Sequence, residues 1–335
     1  MASFRHDGHR LAYRVYEPAT PAVRRPGPAG SNRPLILVHG LLLSQRMHMP
    51  LARDLAAHGN RVITIDLLGH GSSDRPRDMW RYSMEIFAGQ VVALMDHLEL
   101  EQAVVGGTSL GANATLEVAA RAPVRLRGML VEMPVLDNAL LACAVAFTPL
   151  LISLTFGEPI MRLVSRLTRA VPSRLLPFYA DVALDTVRQD PAPSAAVLQG
   201  LFFGRVAPPR SERRTFNSPA LVIGHHRDPV HPFSDAGMLV DELGDARLVE
   251  ADSLIELRFS PERLTNEIAE FLDQCWEGRP NVDERGRAGR PSAGQPRAAA
   301  PASASERGAA AASRPATRSA ATGRRSPRSR RAAGG

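Results

Sequence analysis

Within residues 103–113, an apolar run, a tight glycine-flanked corner and a helical pattern follow one another as Ala-Val-Val-Gly-Gly-Thr-Ser-Leu-Gly-Ala-Asn. Residues 107–111 fit Gly-x-Ser-x-Gly, the nucleophile-elbow pattern, in the strand, turn and helix order that the pattern requires. The spacing has a steric reason. A serine held on a strained turn needs neighbours without side chains two residues before and after it, where strand and helix backbones crowd. Ser109 is the first candidate for chemistry. Read alone, the five residues also describe a glycine-rich turn ending a buried strand, and the flanks decide between the two readings.

Those flanks alternate strand and helix. Residues 5–16 read as two short strands about Asp7-Gly8, followed by a proline- and arginine-rich loop over 17–34. Residues 35–38 (Leu-Ile-Leu-Val) form a continuous apolar run of the kind expected of a central parallel strand, and they end in His39-Gly40-Leu41-Leu42. A second such strand, 61–65, ends at Asp66, and 83–98 places Phe87, Val91, Leu94, Met95 and Leu98 at helical spacing. After the elbow strand come a helix over 110–121, stopped before Pro123, and another buried strand over 127–131. This is the grammar of an α/β fold with a doubly wound, mostly parallel sheet.

Three motifs in order make the pattern specific: His39-Gly40 after the first strand, Asp66-x-x-Gly69-x-Gly71-x-Ser73-Asp74-x-Pro76 after the second, and the Ser109 elbow after the third. Together they resemble the α/β-hydrolase fold family. The resemblance resumes at residues 219–228, similar to the strand that delivers that family's acid. It continues through 246–250 and a closing helix over 261–276, and so covers about 5–276. It implies a hydrolase core over 1–136 and 217–276 with a helical cap inserted at 137–216. Residues 139–156 in that insertion are apolar enough to raise the question of a membrane span, which needs about 18 to 20 such residues. Pro149 is expected to break a span that short, and a cap lining an apolar substrate site is the favoured reading, with no stable membrane insertion.

The net charge of +7 resides at one end. Residues 277–335 hold 13 arginines and 4 acids, leaving 28 basic and 30 acidic residues in the body, so no nucleic-acid binding is expected of the core. That end is rich in Ala, Pro, Gly, Ser and Arg without periodicity and reads as disordered; its clusters Arg324-Arg325 and 328–331 are a rival route to nucleic acid or anionic lipid. Cys143 and Cys275 make neither a disulfide framework nor a metal spacing and read as two buried thiols. No phosphate loop or metal-ligand cluster is visible, so no cofactor is expected. The charged first ten residues lack the apolar core of a secretory signal, which makes cytoplasm the expected location.

Acyl transfer by serine needs a nucleophile, a base, an acid that orients the base, and donors for the developing oxyanion. The resemblance implies Ser109 as nucleophile, the backbone N–H groups of Leu41 and Leu110 as oxyanion donors, and Asp228 as acid. The family's histidine stands after the last strand, and the matching position here is Leu254; no histidine follows His231 anywhere in the chain. Three readings remain open. His231, in Asp228-Pro-Val-His-Pro, turns inward as base with Asp228 or Glu132 orienting it, His225 and His226 being weaker forms of the same idea. Alternatively Glu256 or Asp252 substitutes, against an ordinary carboxyl pKa of about 4. In the third, the chain is a degenerate relative that binds a small apolar ligand. The expected activity is hydrolysis of apolar esters or related acyl compounds. A serine at the elbow argues against epoxide hydrolase and dehalogenase chemistry, and His39 and His70 are expected to be structural.

Overall fold

The computed structural model describes residues 1–18 and 33–277. The expectations for 19–32 and for the arginine-rich 278–335 lie outside the described residues. Eight strands, β1 (Ala2–His6), β2 (His9–Tyr16), β3 (Pro34–Val38), β4 (Arg61–Asp66), β5 (Ala103–Thr108), β6 (Leu126–Glu132), β7 (Ala220–His225) and β8 (Ala246–Ala251), form one sheet in the order β1-β2-β4-β3-β5-β6-β7-β8. From β3 to β8 the pairing is parallel, whereas β2 runs antiparallel to both of its neighbours. The turn joining β1 to β2 has positive φ at both Asp7 and Gly8, 49° and 81°, which matches the right-handed twist of a two-residue hairpin.

The helices are α1 (Met49–Ala57), α2 (Met84–His97), α3 (Leu110–Arg121), α4 (Leu140–Phe156), α5 (Glu158–Arg169), α6 (Phe178–Arg188), α7 (Pro191–Phe203), α8 (Arg210–Arg213), α9 (Phe233–Glu242), α10 (Glu256–Phe259) and α11 (Glu262–Glu277). Because side chains alternate across a strand, β3 sends Leu35 and Leu37 into a core shared with α1 and α11, and Ile36 and Val38 into one shared with α2, α3 and α9. Both faces of the sheet are thereby covered, as the continuous apolar strands require.

Between β6 and β7 the chain leaves the sheet and forms α4 to α8. Two buried side chains hold the point where it departs. Asp235, at the start of α9, accepts the backbone N–H groups of Leu136, Asn138 and Ala139 at 2.7, 3.1 and 3.1 Å. Asn113 of α3 accepts from Val135 N–H and donates to the carbonyls of Val135 and Val206, joining the start of the excursion to the segment between α7 and α8. Pro149, expected to interrupt its segment, sits inside α4 instead. A proline there forfeits one backbone hydrogen bond, and the helix turns sharply only later, by 96° at Gly157.

The elbow joins β5 to α3, with Ser109 at φ 56° and ψ −112°. This is a sparsely populated conformation for any residue but glycine and costs about 1–3 kcal/mol. It is held by hydrogen bonds from Ser109 N–H to Glu132 carbonyl and from Asn113 N–H to Ser109 carbonyl, 2.9 and 3.0 Å. The flanking glycines are forced: a Cβ on Gly107 would stand 2.3 Å from the Val38 carbonyl oxygen, and one on Gly111 2.1 Å from it.

Three histidines brace the loops at the carboxyl edge. His39 Nδ1 donates to Gly40 carbonyl while its Nε2 accepts from Leu67 N–H, His48 Nε2 donates to Val38 carbonyl, and His70 Nδ1 donates to Leu68 carbonyl. Burial lowers the pKa of all three; for His48, burial and the nearby Arg258 push it down to about 3.

Two outcomes follow. Gly111→Ala should abolish soluble folded protein, since the clash is with backbone, whereas Gly89→Ala in α2, which meets nothing within 4 Å, should keep or raise the melting temperature. Depressed histidines stabilise the fold above their unfolded pKa of 6.5 and withdraw that stability as pH falls. At pH 5 the loss from His48 is about 2 kcal/mol. Thermal melts should therefore shift downward between about pH 6.5 and 5, before carboxylates titrate, and replacing His48 with Gln should flatten that slope.

Candidate active site

The turn leaving β7 carries an acid and an imidazole three residues apart. Asp228 Oδ1 accepts the backbone N–H groups of Val230 and His231 at 2.8 and 2.9 Å, so the carboxylate closes its own turn. Its other oxygen, Oδ2, lies 2.8 Å from His231 Nδ1, and His231 Nε2 lies 2.8 Å from Ser109 Oγ. The side chains of His231 and Asp228 are 15% and 7% exposed. Burial favours the protonated acid, but the hydrogen bonds from the His231 ring and backbone outweigh it and hold the Asp228 carboxyl below its ordinary value. An ionised Asp228 requires the proton on Nδ1, which leaves the Nε2 lone pair facing the Ser109 hydroxyl. The structure thus brings Ser109, His231 and Asp228 together across 122 residues of sequence.

The other residues weighed from sequence are engaged elsewhere. Leu254 lies in a surface loop after β8, and the neighbouring Ser253 carbonyl accepts from His225 Nδ1. His225 is buried, with Nε2 3.7 Å from a Glu132 oxygen, too long for a hydrogen bond. His226 is exposed, stacks on Phe233 and pairs with Glu250. Glu256 binds Arg263 and caps Asp252 N–H, while Asp252 faces Arg263. Glu132, considered as a support for His231, does not reach it: its carboxylate takes Thr108 Oγ1 and Arg258 Nη2, the latter at 2.7 Å. Burial works against the charge of Glu132, but Arg258, His225 and Thr108 hold its carboxyl far below the carboxylate range.

That Glu132–Arg258 pair beneath the elbow was not legible in the sequence. Its partners are 126 residues apart, and neither belongs to a motif. Asp235 was missed for a similar reason, although an acid at the start of a helix after Pro232 is the usual sign of a capping role. Asn113 carried no signal at all.

Leu41 and Leu110 both line a cavity of about 190 Å³ that opens at Ser109. Leu110 is the first residue of α3, so its N–H has no acceptor within the helix and faces the serine's surroundings at the positive end of the helix dipole. The remaining walls include Met84, Val135, Leu140, Phe147, Leu198 and Phe202, and among the described residues no charged side chain lines the cavity. Cys143, expected to be an ordinary buried thiol, is half-buried in that wall; burial and the nearby Asp235 and Asp228 push its pKa up to about 11, so it presents a neutral surface. Cys275 is buried in the core. Among the described residues no group of His, Cys, Asp and Glu is arranged to hold a metal ion.

Comparison with known proteins agrees with this architecture. The chain is 35% identical over 105 residues to 2-hydroxymuconate semialdehyde hydrolase of Pseudomonas sp. (strain CF600), covering 30% of this chain and 35% of that protein. It is 37% identical over 93 residues to the AB hydrolase superfamily protein YisY of Bacillus subtilis (strain 168), covering 28% and 34%. These matches span about a third of each relative's length. The crystal structure of the enol-lactonase from Burkholderia xenovorans LB400 superposes with a TM-score of 0.61 at 24% identity, over 81% of this chain and 99% of that one, a likeness of fold. Residues 33–232 match the family model for the alpha/beta hydrolase fold, and this span of the chain, with the parallel sheet and the serine turn it contains, makes the protein a member of the α/β-hydrolase fold family, among relatives that are hydrolases.

Proposed function

We propose that the protein is a serine hydrolase of uncharged, apolar esters or related acyl compounds, with Ser109 as nucleophile, His231 as base and Asp228 as its orienting acid. The observation that carries this reading is the unbroken hydrogen-bonded line from Asp228 Oδ2 through His231 to Ser109 Oγ, each link 2.8 Å.

In this reading Ser109 Oγ attacks the acyl carbonyl carbon as its proton passes to His231 Nε2. The imidazolium that forms is held by ionised Asp228, which stabilises the charge without taking the proton. The backbone N–H groups of Leu41 and Leu110 receive the developing oxyanion. Collapse of the tetrahedral intermediate transfers the His231 proton to the departing alcohol and leaves an acyl group on Ser109. A water molecule, deprotonated by the same imidazole, then releases the acid and restores the serine. The turn at Ser109 presents the nucleophile already in its strained geometry, so the backbone need not reorganise when substrate arrives.

The cavity supports the substrate class. Its walls contain no charge to pair with an ionised substrate, and burying an unpaired charge costs several kcal/mol.

A fluorophosphonate probe should label the wild type at Ser109 and leave Ser109→Ala unlabelled. Among chromogenic esters, one with a short neutral acyl chain should exceed one with a terminal carboxylate by at least about tenfold in kcat/KM, the equivalent of roughly 1.4 kcal/mol. Absence of labelling would leave a protein of this fold that binds an apolar ligand without acyl transfer.

A further inference from the structure

The cap exposes apolar surface in an organised way. Of 18 large hydrophobic side chains exposed among the described residues, 12 lie between Leu140 and Phe203. Helix α4 has no charged residue, and Leu141, Val145, Ile152 and Phe156, at spacings of one helical face, are 77%, 68%, 52% and 82% exposed. After the 96° bend, α5 continues with Ile160, Leu163 and Leu167 on its outer side. Leu140 and Phe202 are both exposed and part of the cavity wall, so this apolar surface reaches the cavity mouth.

A second feature runs beside the first. Arg162, Arg166 and Arg169 stand at spacings of four and three on α5, one flank over from the apolar stripe. Arg162 pairs with Glu158, and Arg169 donates to Arg188 carbonyl. The three arginines line a shallow groove of about 180 Å³ with Ser165, and Asp190 is its one acid.

We propose that α4 and α5 dock the cap on an anionic lipid bilayer, with the apolar stripe in the acyl boundary and the arginine row on lipid phosphates. An apolar face flanked by arginine on a helix lying in the interface is the pattern of a surface-bound segment. No single helix among the described residues is long and apolar enough to cross a membrane, and α4 and α5 meet at a bend of 96°. The arginine row beside the apolar stripe complements the negative charge of an anionic bilayer. The docked cap turns the cavity mouth toward lipid. That substrate then reaches Ser109 from the bilayer rests on the hydrolase reading above; the docking itself does not.

The test is sedimentation of the full chain with vesicles of phosphatidylcholine, with and without phosphatidylserine. Wild type should bind the anionic vesicles and largely ignore the neutral ones. Arg162→Ala with Arg166→Ala should weaken binding about fivefold per arginine, and Leu141→Ser, Ile152→Ser and Phe156→Ser together by more than about tenfold. None of these side chains lines the cavity, so hydrolysis of a soluble ester should persist in both variants, while Ser109→Ala should bind vesicles as wild type does. Binding unchanged in both surface variants would assign it to the arginine-rich 278–335 and overturn the proposal. So would wild type that stays in the supernatant, or self-association without lipid that the apolar substitutions abolish.

Discussion

The Asp228 carboxylate is the interaction on which the rest of the site depends. One oxygen takes the backbone N–H groups of Val230 and His231 and so folds the turn; the other takes the ring that the turn has just aimed. A turn built on three charge-assisted hydrogen bonds is stiff, and stiffness is what a base needs to stand at 2.8 Å from a serine. Two prolines, Pro229 and Pro232, remove backbone freedom on either side of the bonds. The helix that follows carries Asp235 in its first turn, whose carboxylate takes the backbone N–H groups of Leu136 and Ala139 where the chain leaves β6. Asp228, His231 and Asp235 therefore sit on eight consecutive residues that run from the turn after β7 into the first turn of α9.

Beneath the serine a separate device holds the elbow. Glu132, buried at the end of β6, gives its backbone carbonyl to Ser109 N–H and its carboxylate to Thr108 and Arg258. A buried pair of this kind costs desolvation and contributes little net stability, but removing either partner would leave the other charge unpaired. Arg258 comes from the segment following β8, the same region that carries the base in the family this chain resembles. Here that region supports the elbow from below, and the imidazole arrives from the neighbouring loop.

The parts of this arrangement that were legible in the sequence are those with a local cause. Gly107 and Gly111 are demanded by the closeness of the Val38 carbonyl, so the elbow announces itself in five residues. The apolar runs of β3 to β7 are demanded by burial on both faces and mark the sheet order's raw material. The direction of the His231 ring has no such local signature. It depends on which oxygen of Asp228 folds the turn and which remains for the ring, and the sequence, while pointing to Asp228 as the acid, left Glu132 as an alternative support. The path of α4 through Pro149 also escaped, because the cost of one missing backbone hydrogen bond is outweighed by the packing of that helix on α5 and α7. The shape of the cavity, drawn from the loop after β3 and from α2, α3, α4 and α7 at once, could be read from no single stretch.

The central claim is that the imidazole next to Asp228 activates Ser109. The most direct measurement is the rate at which a fluorophosphonate labels Ser109 in His231→Ala and in His226→Ala, with circular dichroism to verify that each is folded. His226 is exposed and paired with Glu250, away from the serine, which makes it the matched control. The account predicts labelling slowed by about 10³-fold or more in His231→Ala and unchanged in His226→Ala. Equal labelling of a folded His231→Ala and the wild type would contradict it.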